Sequence, residues 1–185
     1  MRAFIAIELS DAVRDTLLGF LREIKRLDAP VRWIRPEGMH LTLKFLGEVS
    51  TDKAAAVRSI LDDVTAHHAS FSLEFSGTGT FPPRQRAPRV IWAGISQSQP
   101  LEALHKDLED RLESIGFPRE SRRFNPHLTL GRVKAPHNLE AVLDFLHQKD
   151  RTAFGTMRAS SVILFKSVLK PTGAEYSQIH TAGLS

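Results

Sequence analysis

The chain has 185 residues, 25 basic and 21 acidic, for a formal charge of only +4. Apolar residues at 42% and charged residues at 25% are ordinary soluble composition, with enough apolar material for a sizeable core. Cysteine is absent, which excludes a disulfide framework and any thiolate metal site, and fits a reducing, cytoplasmic setting. The first 20 residues hold Glu8, Asp11 and Asp15 and no long apolar run, so neither a signal peptide nor a membrane span is read there.

Residues 2–8 alternate weakly and predict a strand. Ser10 or Asp11 can cap a helix reaching about residue 27, with Val13, Leu17, Phe20, Leu21 and Ile24 at helical spacing. Residues 30–38 read as loop with a short extended piece around Trp33, and 40–46 as a strand. Ser50-Thr51-Asp52 opens a second helix carrying Val57, Ile60, Leu61 and Val64. Residues 71–75 alternate as a strand, and 77–88, rich in Gly and Pro, read as an exposed loop. The order then recurs: a strand at 89–95, a helix at 100–115 with Leu101, Leu104, Leu108, Leu112 and Ile115 on one stripe, a loop at 116–126, and a strand at 127–133. Asn138 is expected to cap a last helix through Gln148, before strands at 154–159 and 161–167.

The recurrence is an internal duplication. His40-Leu41-Thr42-Leu43 returns as His127-Leu128-Thr129-Leu130, 87 residues on. The same offset sets Arg2-Ala3-Phe4-Ile5-Ala6 on Arg89-Val90-Ile91-Trp92-Ala93, and Leu17 and Leu21 on Leu104 and Leu108. Each half is strand, helix, motif strand, helix, strand. The expected fold is α+β: two pseudo-symmetric lobes, each an antiparallel sheet with helices on its outer face and a cleft between them, all within one bilobal domain spanning 1–185. A monomer is expected, because nothing calls for an obligate oligomer.

On a strand, residues i and i+2 share a face. His40 and Thr42, and His127 and Thr129, therefore point away from the core leucines between them. Two imidazoles near neutral pH can act as a general acid and a general base. Threonine hydroxyls can donate to phosphate oxygens. A phosphodiester suits this set, since in-line displacement puts attack and departure on opposite sides of phosphorus. Basic clusters at Arg84, Arg86 and Arg89, at Arg119, Arg122 and Arg123, and at Arg132 and Lys134 favour an anionic ligand. Metal dependence is disfavoured: His67 and His68 are adjacent, and the motif histidines lack a nearby His-Glu-x-x-His or Cys pair. No Gly-x-Ser-x-Gly elbow or Gly-rich phosphate loop is present.

With Arg32-Trp33-Ile34-Arg35-Pro36 and Gly47 around the first motif, and Arg123-Phe124-Asn125-Pro126 and Gly131-Arg132 around the second, the chain resembles the two-histidine phosphoesterase superfamily. Within it, the chain is similar to the RNA 2′,3′-cyclic phosphodiesterases, also called 2′–5′ RNA ligases, along nearly its whole length. The resemblance implies a site without metal or other cofactor. It implies hydrolysis of RNA ending in a 2′,3′-cyclic phosphate to a 2′-phosphate, with small cyclic nucleotides as further ligands. His40 would be the proton donor to the departing 3′ oxygen, His127 the proton acceptor from water, and Thr42 and Thr129 the phosphate ligands. Arg132 matches an arginine that follows the second motif in this family. Strand parity would turn Arg132 away from His127 unless Gly131 permits a bulge. Phe45, a base-stacking candidate, has the same parity problem and reads as core; Phe81, Phe124 and Tyr176 are further stacking candidates. Two rivals stand beside hydrolysis: the reverse ligation to a 5′-hydroxyl, and a non-catalytic RNA or nucleotide binder.

Overall fold

Ser10, Ser50 and Ser98 each begin a helix in the same way. Their hydroxyls accept from the backbone N–H three residues on, at Val13 (3.4 Å), Lys53 (3.3 Å) and Leu101 (3.4 Å). In the computed structural model, which describes residues 1–83, 86–171 and 173–185, the order is β1 (Arg2–Glu8), α1 (Asp11–Lys25), β2 (Val31–Trp33), a 3-10 turn (Pro36–Gly38), β3 (His40–Glu48), α2 (Thr51–Ala66), β4 (Phe71–Phe81), β5 (Val90–Ile95), α3 (Gln99–Ser114), β6 (His127–Val133), α4 (Glu140–Gln148), β7 (Ala153–Ala159), β8 (Ser161–Lys170) and β9 (Gly173–Gly183). Arg84, one of the basic-loop candidates, lies outside the described residues.

All strand pairs are antiparallel. One sheet has the order β3-β1-β8-β9 and the other β2-β6-β5-β4-β7. The two meet where β3 packs against β6, so each motif strand lies beside the cleft. The architecture is the expected α+β pair of lobes, but the lobes are not the two halves of the chain. The helix after each first strand crosses to the other sheet. Phe20 of α1 packs edge-on against Phe154 of β7 (5.3 Å), in the sheet that carries His127. Glu109 of α3 pairs with Lys44 of β3, in the sheet that carries His40. β2 likewise leaves the first half to edge the second sheet, while β8 and β9 complete the first. The buried residues of both layers join one core that includes Ile5, Leu17, Leu41, Leu61, Phe75, Leu104, Leu130 and Phe154.

Three segments depart from the sequence reading. Residues 77–81 are strand rather than loop, because β4 runs on to pair with β5; its glycines make room, as a Cβ at Gly79 would fall 2.2 Å from the Trp92 ring. Asn138 does not cap α4. It takes φ +53°, a left-handed conformation that Asn tolerates, and Leu139 stands at the N-cap without a side-chain bond. β9 has no counterpart among the expected elements, since its exposed, polar alternation has no apolar face to announce it. No described helix is long and apolar enough to cross a membrane.

Candidate active site

The decisive local feature is a pair of β-bulges. On β1 and β3, Glu8, Ile7 and Ala6 oppose His40, Leu41 and Thr42, and Ile5 and Phe4 then oppose Lys44 and Phe45, skipping Leu43. On β5 and β6, Gly94, Ala93 and Trp92 oppose His127, Leu128 and Thr129, and Ile91 and Val90 oppose Gly131 and Arg132, skipping Leu130. The two registers match residue for residue, with an offset of 87 on the motif strands and 86 on their partners. An extra residue in a strand restores the opposite parity beyond it. Leu43 with Lys44, and Leu130 with Gly131, are therefore consecutive buried pairs. Phe45 and Arg132 consequently return to the His/Thr face. The core reading of Phe45 is overturned: it is 73% exposed.

The two walls of the cleft differ in chemistry. On the first, Phe4, Ala6, Ile163 and Phe165 form a small apolar cluster with Tyr176 against it. His40 stacks on Phe4 (4.7 Å between ring centroids), with Phe165 at 5.8 Å and the edge of Tyr176 at 5.3 Å. Phe45 leans on the same Phe4 ring at 6.1 Å. Burial among these rings pushes the His40 imidazole down to about 4, because the charged form loses its hydration there. In the free protein His40 is thus neutral.

His127 is held differently. Its Nδ1 lies 2.7 Å from the Asn125 carbonyl oxygen. A carbonyl can only accept, so Nδ1 carries the hydrogen, and Nε2 of the neutral ring carries the lone pair. Phe81 stands edge-on to the ring at 5.0 Å and tilts against Trp92 at 5.4 Å. These three, with Asn125, Gly94, Thr78 and others, line a cavity of about 310 Å³. The Thr42 and Thr129 side chains are half-buried, and neither hydroxyl has a protein hydrogen-bond partner among the described residues. Among those residues, no three His, Cys, Asp or Glu side chains gather as a metal cluster would require.

The basic clusters differ in how their charges are held. Arg119 is tied to Asp110 (2.7 Å) and Glu113 (2.8 Å). Arg86, Arg122, Arg123 and Arg132 are exposed and carry no ion pair among the described residues. Phe124 is not a free stacking surface, since His105 covers it at 3.7 Å, nearly parallel. Sequence reasoning missed Trp92 and Arg32 on the cleft face. The 87-residue offset misled for Trp92, aligning it with core Ile5 rather than with its register equivalent Ala6, which faces the cleft.

The model of the 2′-5′ RNA ligase superfamily matches residues 13–168. The chain is 33% identical over 179 residues to an RNA 2′,3′-cyclic phosphodiesterase of Methanothermobacter thermautotrophicus, covering 97% of this chain and 96% of that one. It is 34% identical to a protein of the same name from Archaeoglobus fulgidus, covering 97% and 98% respectively. Among solved structures it is similar to the protein TT0787 of Thermus thermophilus, with a TM-score of 0.85, 27% identity and coverage of 100% and 98%. A family match spanning both His-x-Thr strands, relatives of equal length and a shared fold agree: the chain belongs to the 2′-5′ RNA ligase superfamily.

Proposed function

We propose that this protein hydrolyses RNA ends bearing a 2′,3′-cyclic phosphate to 2′-phosphate ends, and that 2′,3′-cyclic nucleotides are its smallest substrates. The observation that carries this reading is the matched pair of bulged motif strands. They bring two imidazoles to one cleft, with two hydroxyls that have no protein partner among the described residues, in a chain whose relatives are named for that reaction. His127, with Nδ1–H held by Asn125, takes a proton from water at Nε2. The water oxygen bonds to phosphorus as the bond to the 3′ oxygen breaks, and His40 protonates that oxygen. Thr42 and Thr129 donate to the non-bridging oxygens, while Arg132 and Phe45 hold the rest of the RNA end. His40 must be charged to serve as the acid. The negative phosphodiester, arriving in a dry aromatic corner, favours its protonated form and draws it up from about 4. The internally duplicated chain acts as one bilobal domain, with no metal or cofactor in the reaction.

One observation favours ligation as a second reading. The cavity walled by Phe81 and Trp92 lies beside His127, the group that would activate the nucleophile, and can admit a nucleoside with a 5′-hydroxyl in place of water. Product analysis of an RNA with a cyclic-phosphate end, with and without a 5′-hydroxyl partner and after exhaustive chelation, tests both. A 2′-phosphate product formed without metal is expected. A 3′-phosphate product, activity restored only by a divalent ion, or binding without turnover would overturn the proposal.

A further inference from the structure

The aromatic wall carries an exposed cation that the reaction itself does not use. β1 keeps one register along β8, so Arg2 projects from the same face as Phe4 and Ala6, the face that His40 covers. Arg2 lies directly opposite Ser167 of β8 on one side and Glu48 of β3 on the other. The amino terminus of Met1 occupies Glu48 (3.2 Å), and neither Arg2 nor Ser167 has a side-chain partner among the described residues. Two apolar side chains flank Arg2 on this face. Phe45, opposite Phe4, is 73% exposed, and Leu169, two residues beyond Ser167, is 64% exposed. They are two of the four large apolar side chains left exposed among the described residues. Tyr176, opposite Ser167, joins this shelf to the rings under His40, with its edge on Phe4 at 5.3 Å. The other end of β1 has the opposite charge: Glu8 stands across from His40, its carboxylate accepting from Gln178 at 3.0 Å.

Resting on the hydrolase reading above, we infer that Arg2 binds the RNA phosphodiester on the 5′ side of the terminal nucleotide, with the penultimate base against Leu169 and Tyr176. The polarity follows from the chemistry. The 3′ oxygen that His40 protonates stays on the ribose, and in-line displacement puts the attacking water on the far side of phosphorus, at His127. The terminal nucleoside and all RNA upstream of it therefore leave along the wall of His40. A polyanion leaving there runs toward Arg2 and away from Glu8. Arg2 is two residues along β1 from Phe4, or about 6–7 Å at about 3.3 Å per residue, so it stands past the ring that carries His40 and not at the reacting phosphorus. Its guanidinium can hold a phosphate through paired N–H donors, with the Ser167 hydroxyl across the ladder as a further donor. A cyclic mononucleotide has no phosphate to place there. A longer RNA end does.

The test compares Arg2→Ala and Arg2→Gln with the unaltered protein on three substrates: a 2′,3′-cyclic mononucleotide, a short RNA ending in the same cyclic nucleotide, and that RNA with a neutral methylphosphonate at its last internucleotide linkage. Loss of one charge-assisted contact should lower kcat/KM on the RNA about tenfold more than on the mononucleotide, through KM. The methylphosphonate should cost the unaltered protein a similar factor and cost the Arg2 variants little more, because both changes remove one contact. Lys166→Ala, which removes a cation from the opposite face of β8, should alter none of these ratios. Anisotropy of labelled RNAs with an open 3′-phosphate, with and without the methylphosphonate, gives a readout that needs no turnover. There the slope of log affinity against log salt should be shallower by about 0.7 without Arg2. Equal losses on mononucleotide and RNA would place Arg2 at the terminal nucleotide and overturn the inference. So would a methylphosphonate whose effect simply multiplies with that of Arg2→Ala, or a Lys166→Ala variant that behaves like Arg2→Ala. Should the unaltered protein turn over none of the substrates, the hydrolase reading falls, and the anisotropy series alone still decides whether Arg2 holds that phosphate.

Discussion

Replacing Glu109 with Leu should be among the most damaging single changes outside the cleft. Lys44 Nζ lies 2.6 Å from Glu109 Oε1 and 2.9 Å from the Pro118 carbonyl oxygen. The other carboxylate oxygen accepts from Glu120 N–H at 2.9 Å. Lys44 and Glu109 are only 8% and 6% exposed, so neither charge has water to fall back on. Removing one partner of a buried pair typically costs about 3–5 kcal/mol, against a total stability of about 5–15 kcal/mol. For a chain of this size that is a fall in melting temperature of roughly 6–20 °C. Lys44→Met should cost a similar amount. The double variant, with an apolar pair of similar volume, should recover most of the loss, because the cost lies in the stranded charge rather than in the absent attraction. Urea unfolding of the four proteins closes the cycle. Single losses below about 1 kcal/mol, or a double variant whose loss equals the sum of the singles, would refute the reasoning. The pair also clamps residues 118–120 to the bulge of β3, on the loop that leads to Asn125 and His127. The recovered double variant should therefore still show reduced kcat.

His40→Ala and His127→Ala should each lower the chemical rate by about 10²–10⁴, with the pair together losing far less than the product of the two effects. A substrate with an activated leaving group should rescue His40→Ala and not His127→Ala; the opposite result would exchange their roles. NMR titration of the free protein should find His40 near 4, and higher with bound phosphate. The folded state then binds fewer protons than the unfolded chain below the ordinary histidine value of 6.5, so the contribution of this group to stability is full above that value and is lost as pH falls from 6.5 to about 4. His40→Phe should flatten the urea midpoint across that window, and a midpoint as acid-sensitive as in the unaltered protein would contradict it. Phe45→Ala should weaken binding of a cyclic-phosphate RNA end by about 1–3 kcal/mol while leaving the melting temperature nearly unchanged, since stacking and not core packing is lost; isothermal titration and a thermal melt distinguish the two.

The motif strands were legible because their chemistry and their core leucines alternate with a period of two. Legibility ended at the second residue after each threonine, where Lys44 and Gly131 turn inward instead of out. Simple alternation sends Phe45 and Arg132 inward, and the bulge just past the threonine in each strand reverses that for both. Gly131 hinted at one bulge, since glycine inside a strand often marks one. Lys44, its counterpart, gave no such hint: a lysine reads as solvent-facing, and only a carboxylate supplied by α3 makes it a buried residue. That carboxylate comes from the other half of the chain. The exchange of α1 and α3 between sheets has the same character, because helical periodicity states which face is apolar and not which sheet that face will cover.

The exchange explains how two weakly similar halves can keep a strict geometry between their histidines. Had each half folded as its own lobe, the cleft would rest on an interface between two separate cores, and such interfaces commonly permit relative motion. Here α1 is built into the sheet layer of His127 and α3 into that of His40, and β2 bonds to β6 across the same divide. Opening the cleft would therefore require stripping helices from a shared core, not parting two surfaces. Such a frame leaves adjustment to the side chains that line it. The aromatic wall carries Phe45 and His40, the basic wall carries Arg32 and Arg132, and the two equivalent bulges set what each wall presents. At the same register position after the bulge, one copy offers a ring and the other a guanidinium. A nucleotide end has a base at one side and a cyclic phosphate at the other, and this asymmetry within a symmetric frame is what would orient it.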